Sequence, residues 1–177
     1  SRYAGVTLAP RILALGGFAV KMSLDFEEAM TRIEALVGAS EEDIHLYKES
    51  IRDLAKVVPK PTKELADALF FVASAGFKGE AAMDVLTMSA KAATAGLGET
   101  KVIADAVTSA IRAYGEKNLS AADATDILVS AVRQGKLEPE ALAGEFGKVT
   151  SIAAIMGVEF GEVAGAKIGA ATETETQ

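Results

Sequence analysis

The sequence predicts an all-α protein, a bundle of short amphipathic helices arranged as successive helical hairpins. Apolar residues recur every three or four positions nearly everywhere, no stretch alternates with period two for long enough to form a strand, and glycines follow the apolar lines at regular intervals. Half of the residues are hydrophobic and 24% are charged, which is a globular composition.

Start and stop signals divide residues 25–75 into three helices. Gly38 is expected to end the first helix, because glycine readily adopts the left-handed conformation that closes a helix. Ser40, with Asp43 three residues on, is expected to cap the second helix, and Thr62 to cap the third after two prolines. Each helix carries one apolar line at helical spacing: Phe26, Met30, Ile33 and Val37; Ile44, Tyr47, Ile51, Leu54 and Val58; Leu65, Leu69 and Val72.

After residue 60, short helical patterns recur with a period of about twenty residues. Each pattern ends at a glycine that is expected to cap the helix: Gly76, Gly96, Gly115, Gly135 and Gly157. Ser120 with Asp123, and Pro139 at a first helical position, supply start signals. We interpret the pattern as helical hairpins with short loops rather than as a true solenoid repeat, because the recurring phrases are short and variable.

Composition divides the chain into three parts. Residues 1–24 form an apolar, basic lead-in with Arg2, Arg11 and Lys21 and no acidic residue, expected to be helical and to continue an upstream helix. Residues 25–171 form the helical domain, and residues 172–177 form a polar, disordered tail. Because the chain starts with Ser and ends on alternating Thr and Glu, we expect it to be a segment of a longer polypeptide.

Several classes of function are excluded by composition. The absence of Cys rules out disulfides and thiolate catalysis, and one His cannot form a histidine metal cluster within one chain. The net charge of −7 argues against a nucleic-acid-binding module. The longest uncharged runs are half as long as a membrane-spanning helix requires. We expect no metal and no cofactor.

Catalysis has one candidate, the Glu49-Ser50 pair, because a Glu-Ser pair on a helix is seen in peptidoglycan-cleaving lytic transglycosylases. An acid of that kind must be desolvated, whereas Lys48 and Arg52 flank this one and favour the charged carboxylate. No downstream glycine–methionine–glutamine phrase follows, and His45 is interpreted as a surface or boundary residue. We predict that the chain has no catalytic residues and is not an enzyme; a peptidoglycan hydrolase is the alternative, which predicts muramidase activity.

Glycines near the C-terminus are the first candidate interaction face. They recur every four residues, at Gly157, Gly161, Gly165 and Gly169, so a helix through them would present a smooth groove. Either Gly157 is a cap and the other three seat the last helix on its neighbour, or this face serves self-association or membrane insertion.

Aromatic residues are the second candidate interaction face, at Phe70, Phe71 and Phe77. Adjacent residues cannot share one helix face, so Phe70 or Phe71 should point away from the core unless the helix is buried all round. An exposed phenylalanine would mark a partner surface, and core packing is the alternative.

Taken in order, these phrases resemble the shared helical region of tail tape measure proteins of long-tailed bacteriophages. The resemblance covers roughly residues 25–170 and rests on the order and spacing of caps and apolar positions. The phrases that carry it are residues 25–30 (DFEEAM), 33–42 (IEALVGASEE), 73–77 (ASAGF), 95–97 (AGL), 104–107 (ADAV), 113–115 (AYG), 121–123 (AAD) and 155–164 (IMGVEFGEVA).

The resemblance implies a non-enzymatic role in the virion. Family members lie along the lumen of the growing tail tube in several copies, set its length, and leave ahead of the DNA to help it cross the host envelope. The implied partners are other copies of the chain, tail tube and tail tip proteins, and the host envelope or membrane during ejection, with no sequence-specific nucleic acid. A membrane-active, pore-forming helical protein is the alternative, based on the glycine series and the basic, apolar start.

Overall fold

The described part of the chain consists of helices joined by short connections. The computed structural model describes residues 9–133, 150, 153–155 and 157–164, with side chains from residue 19 onward. The helices are α1 (Ala9–Val37), α2 (Glu41–Val57), α3 (Thr62–Ser74), α4 (Gly79–Ala92), α5 (Thr100–Tyr114) and α6 (Ala121–Arg133), with a π-helical turn at Ala93–Leu97 after α4. Residues 160–164 form a further helical turn. The all-α prediction is confirmed, since none of these residues forms a strand.

Two helix N-termini are capped as predicted. The Ser40 hydroxyl accepts a hydrogen bond from the Asp43 N–H at 3.1 Å, and the Ser120 hydroxyl accepts one from the Asp123 N–H at 3.1 Å. The prediction for Thr62 is wrong, because a proline occupies the N-cap position of α3 and Thr62 is the first helical residue. Proline suits this position, since its fixed φ leads the chain into the helix in extended geometry.

Glycines close the helices where the sequence predicts. Gly76, at φ +98°, ends α3: its N–H donates to the Ala73 carbonyl, and the next N–H donates to the Val72 carbonyl. The other described capping glycines also have positive φ: Gly38, Gly96, Gly115 and Gly157. Gly135 and Pro139 lie outside the described residues.

The helices stack in two layers. α3 packs between α1 and α5 in one layer, and α4 contacts α2 and α6 in the other. Consecutive helices reverse direction, whereas alternate helices are parallel: the Thr100 hydroxyl, at the start of α5, donates to Glu64 in the first turn of α3. Consecutive helices therefore form the predicted hairpins.

One core runs between the two layers, and the predicted apolar lines form it. Of those lines only Val37 is more than 8% exposed, and it packs against the core from its edge. Alanines allow the helices to approach closely, because a small side chain leaves little space between two backbones. The fully buried alanines are Ala66, Ala68, Ala82, Ala90, Ala104, Ala110 and Ala124.

Helix α1 is an exception to the prediction of short helices. It has 29 residues and continues without a break through residues 24 and 25, where composition changes. The lead-in from residue 9 is therefore helical, and the domain boundary drawn at residue 25 falls inside a helix. Pro10 does not interrupt it, because the N–H that proline lacks would have no helical acceptor in the first turn. The tail, residues 172–177, lies outside the described residues.

Candidate interaction surfaces

The aromatic pair on α3 is held between two cations. Phe70 and Phe71 meet edge to face, with ring centroids 5.7 Å apart, and both side chains are half-buried. The Arg32 guanidinium of α1 lies 5.0 Å from the Phe70 ring, and the Lys101 ammonium of α5 lies 4.2 Å from the Phe71 ring. These rings therefore contact neighbouring helices of their own layer.

A carboxylate completes the contact between α1 and α3. Asp67 accepts from Arg32 at 2.5 Å and from Lys63 at 2.5 Å. Because Arg32 contacts both Asp67 and Phe70, it joins the two helices by charge and by ring contact. Arg32 and Asp67 remain partly exposed, so the ion pair itself contributes little to stability.

Phe77 lies in the core with 5% of its surface exposed. It follows the capping Gly76, and its N–H donates to the Val72 carbonyl in the closing turn of α3. This placement makes Phe77 part of the core rather than of an exposed patch.

The first half of α1 forms an arm that extends beyond the stack. Residues 19–24 are all exposed, whereas Asp25 is partly buried and Phe26 lies in the core, so α1 joins the stack at residue 25. Residues 9–24 precede this contact, which is about 24 Å of helix. Val20 and Leu24, one turn apart, are 60% and 65% exposed. We refer to residues 9–24 as the arm.

The glycine series does not form one continuous helix face. Gly157 has φ +75° and lies in a turn: its N–H donates to the Ala154 carbonyl and the Val158 N–H to the Ala153 carbonyl. Gly161 is helical, and a Cβ added there would meet no atom of the described residues within 4 Å. Gly157 is thus a cap, as in one of the two interpretations, while Gly165 and Gly169 lie outside the described residues.

A cleft of about 630 Å³ lies where α5 and α6 meet Ala154 and residues 157–161. Tyr114 lines it; its hydroxyl donates to the Val158 carbonyl at 2.7 Å, and its ring meets that of Phe160 edge to face at 5.6 Å. Burial, followed by the negative charge of Glu162, raises the pKa of Tyr114 above its ordinary value. The tyrosine thus joins the end of α5 to the segment that follows Gly157.

The residues considered for catalysis lie on the surface. His45 and Glu49 have side chains 76% and 67% exposed, and His45 Nδ1 lies 3.7 Å from Glu49 Oε2. Lys48 and Arg52, expected to act on Glu49, instead contact Glu27 of α1 at 2.5 and 3.3 Å. For Lys48 helical geometry explains this, because residues next to each other in sequence point in different directions. Arg52 is three residues after Glu49 and could reach it, but it pairs with Glu27 of α1 instead.

A buried hydroxyl that the sequence did not single out caps α4. Tyr47 of α2 accepts a hydrogen bond from the Gly79 N–H at 3.0 Å, and Gly79 is the first residue of α4. Lys78, at the N-cap position, makes no side-chain cap hydrogen bond. The polar end of Tyr47 within an apolar line was the available signal, because a buried tyrosine hydroxyl usually has a partner.

The described ranges contain neither a metal-binding cluster nor a helix of membrane-spanning character. No group of three or more His, Cys, Asp or Glu in the described ranges is placed to hold a metal ion. No helix formed by the described residues is long and apolar enough to cross a membrane.

Comparison with known proteins identifies the family. A profile of the phage-related minor tail protein family matches residues 48–176. The tape measure protein of Pneumococcus phage Dp-1 is 29% identical over 155 residues, which cover 86% of this chain and 14% of that relative. The chain thus spans a small part of the length of this relative. No solved structure matches the chain. Because the family profile covers well over half of the chain, this protein belongs to the family of phage-related minor tail proteins.

Proposed function

We propose that this chain is a structural, non-enzymatic module of a tape measure protein in the tail of a phage or a phage-derived particle. It acts within the tail tube lumen of the virion during tail assembly and length determination, and during genome ejection. The family match over residues 48–176 and the relative named as a tape measure protein support this proposal. Its partners are other copies of the chain, tail tube and tail tip proteins, and the host envelope during ejection.

The observation that carries a role in binding partners is the arm of α1. A lone helix of about sixteen residues is only marginally stable in water, because most helical stability in proteins comes from tertiary packing. The arm nevertheless presents Val20 and Leu24 to solvent. Covering these side chains with other helices would stabilise the arm, which fits a module that works in an assembly.

The dimensions of the stack favour docking over measuring. A continuous helix of 177 residues would be about 265 Å long. Apart from α1, the longest described helix of the stack is α2, whose 17 residues span about 26 Å. A stack of short helices adds little length to a ruler, so we assign this module to docking at a tube end or to envelope passage.

Deleting the module in frame from the phage that encodes it tests this assignment. The tails are measured by negative-stain electron microscopy, and infection is scored by plaque formation. We expect tails that fail to assemble, or tails shortened by much less than about 265 Å that no longer deliver DNA. Infectious particles with tails shortened by the full helical length would contradict the docking role and indicate a measuring rod.

Two assays of the purified chain separate the remaining alternatives. Binding to the tail tube protein of the same phage supports the proposal, and dye release from vesicles of anionic and neutral lipids would support the membrane-active alternative instead. Muramidase activity that is lost in Glu49→Gln would overturn the non-enzymatic assignment.

A further inference from the structure

The two ends of the stack carry different charge. α2, α4 and α6 begin at one end, and acidic residues occupy their first turns: Glu41, Glu42, Asp43, Glu80 and Asp123. Basic residues occupy their last turns at the opposite end: Lys56, Lys91 and Arg133. We refer to these as the acidic end and the basic end.

The other layer does little to offset this difference. α1 has neither an acidic residue in its first turn nor a basic residue in its last turn. α3 has no basic residue in its last turn, and α5 has no acidic residue in its first turn. Glu64 and Glu99 at the basic end and Lys78 and Arg112 at the acidic end oppose the trend. Lys63 and Lys101, in the first turns of α3 and α5, add to the positive charge of the basic end, so the polarity persists across the stack.

Each end also exposes large apolar side chains. The arm leaves from the basic end, with Val20 and Leu24 exposed and Lys21 between them. At the acidic end Leu36, in the last turn of α1, is 70% exposed, and Glu41 and Glu42 follow it at the start of α2. An apolar patch with a cation and an apolar patch with carboxylates form a complementary pair.

We propose that two copies of this chain associate head to tail, with the arm of one copy lying against the acidic end of the next. Val20 and Leu24 cover Leu36 of the second copy, and Lys21 faces its Glu41 and Glu42. The arm, about 24 Å long, is comparable with α2, the longest helix of the stack apart from α1 at about 26 Å, so beyond this contact at the acidic end it can follow the side of the next copy. This inference concerns the chain alone and does not depend on its role in a tail.

Charge favours this arrangement over pairing of two arms. The lead-in through residue 24 carries basic residues and no acidic one, so two arms side by side would bring like charges together with nothing to neutralise them. A head-to-tail contact uses different surfaces on the two copies, so it leaves one arm and one acidic end open at the ends of each assembly. It therefore produces chains or rings rather than a closed two-fold dimer.

Sedimentation velocity of the full chain tests the first consequence. We expect the sedimentation coefficient to rise steadily with concentration, and association to weaken at least about tenfold between about 20 and 300 mM NaCl, because salt screens exposed charges. A chain that stays monomeric at all concentrations and salt levels overturns the proposal. The acidic residues in the first turns would then only stabilise their own helices, by interacting with the helix dipole.

Two variants then separate head-to-tail from arm-to-arm association. Val20→Glu with Leu24→Glu disables the arm, and Leu36→Lys with Glu42→Lys disables the acidic end. All four side chains are exposed, so both variants should keep the fold, which far-ultraviolet circular dichroism checks.

Mixing the two variants gives the decisive result. Head-to-tail association predicts that each variant alone is monomeric and that the mixture forms a dimer of one copy of each, because one intact arm meets one intact acidic end. If the variant with the intact arm still dimerises alone, the arms pair with each other and the proposal is wrong. The proposal is also wrong if the mixture of variants forms no complex while the wild-type chain associates.

Discussion

Replacing Tyr47 with Phe removes a single oxygen atom from the interior. Tyr47 is 1% exposed, and its hydroxyl accepts the hydrogen bond from the Gly79 N–H at 3.0 Å. Gly79 starts α4, and the side chain at the preceding N-cap position forms no cap hydrogen bond. The substitution therefore keeps the ring packing and leaves the first N–H of α4 without its acceptor.

The expected loss of stability in Tyr47→Phe depends on how deeply the Gly79 N–H is buried. A hydrogen bond contributes about 0.5–1.5 kcal/mol net, and a buried donor left without a partner costs about 1–3 kcal/mol. Gly79 is half-buried, so water can satisfy the N–H in part. We expect the free energy of unfolding to fall by about 1–2 kcal/mol, which lowers Tm by about 3–6 °C in a domain of this size.

Urea denaturation followed by circular dichroism measures this loss, and amide hydrogen exchange localises it. Exchange at Gly79 should accelerate in Tyr47→Phe. Tyr114→Phe is the matched control, because it removes the same atom from a hydroxyl bonded to the Val158 carbonyl and should leave exchange at Gly79 unchanged. A Tyr47→Phe protein within about 0.3 kcal/mol of wild type, with unchanged exchange at Gly79, would refute the capping role.

High pH provides a second readout of the same residue. Burial raises the pKa of Tyr47 above its ordinary value of about 10; the charge of Asp43 adds to this, and the hydrogen bond from Gly79 partly opposes it. Above about pH 10 the folded chain therefore keeps a proton that the unfolded chain loses, and stability falls as pH rises. Tyr47→Phe should show a shallower fall, and an equal slope would contradict this reasoning.

Two further predictions concern matched pairs of substitutions. Leu69→Ala should lower the free energy of unfolding by about 2–5 kcal/mol in urea denaturation, because Leu69 is fully buried. Leu36→Ala should change it by less than about 0.5 kcal/mol, because the Leu36 side chain is 70% exposed. Equal effects of the two substitutions would mean that the core is misplaced. Gly76→Ala should lower stability by about 1–2 kcal/mol because of its positive φ, and Gly161→Ala should raise it by up to about 1 kcal/mol, since the helical site has space for a Cβ. A destabilised Gly161→Ala protein would indicate that this glycine packs closely against another helix.

Local signals made much of the fold predictable. Ser40 and Ser120 cap helices where their spacing to an aspartate indicates, and Gly38 closes the first helix. The apolar lines are buried, because helical periodicity alone determines which side chains share a face. These features depend on residues a few positions apart, which a single sequence displays.

Features that depend on distant residues were not predictable. The pairing of Lys48 with Glu27 depends on how α1 and α2 align side by side. The capping of Gly79 by Tyr47 depends in the same way on the alignment of α2 with α4. Helix α1 is longer than expected, because Pro10 lies in its first turn, where a proline is tolerated. The glycine spacing after residue 156 indicated one helix face, but Gly157 takes a backbone conformation that periodicity does not encode.

The two-layer stacking has a mechanical consequence. Each helix contacts mainly its neighbours in the stack, so no single contact clamps the whole array together. A pulling force applied through the arm would first detach α1 from α2 and α3, and the next hairpin would then become the new edge. We expect such an array to lengthen in small steps under tension instead of rupturing at once.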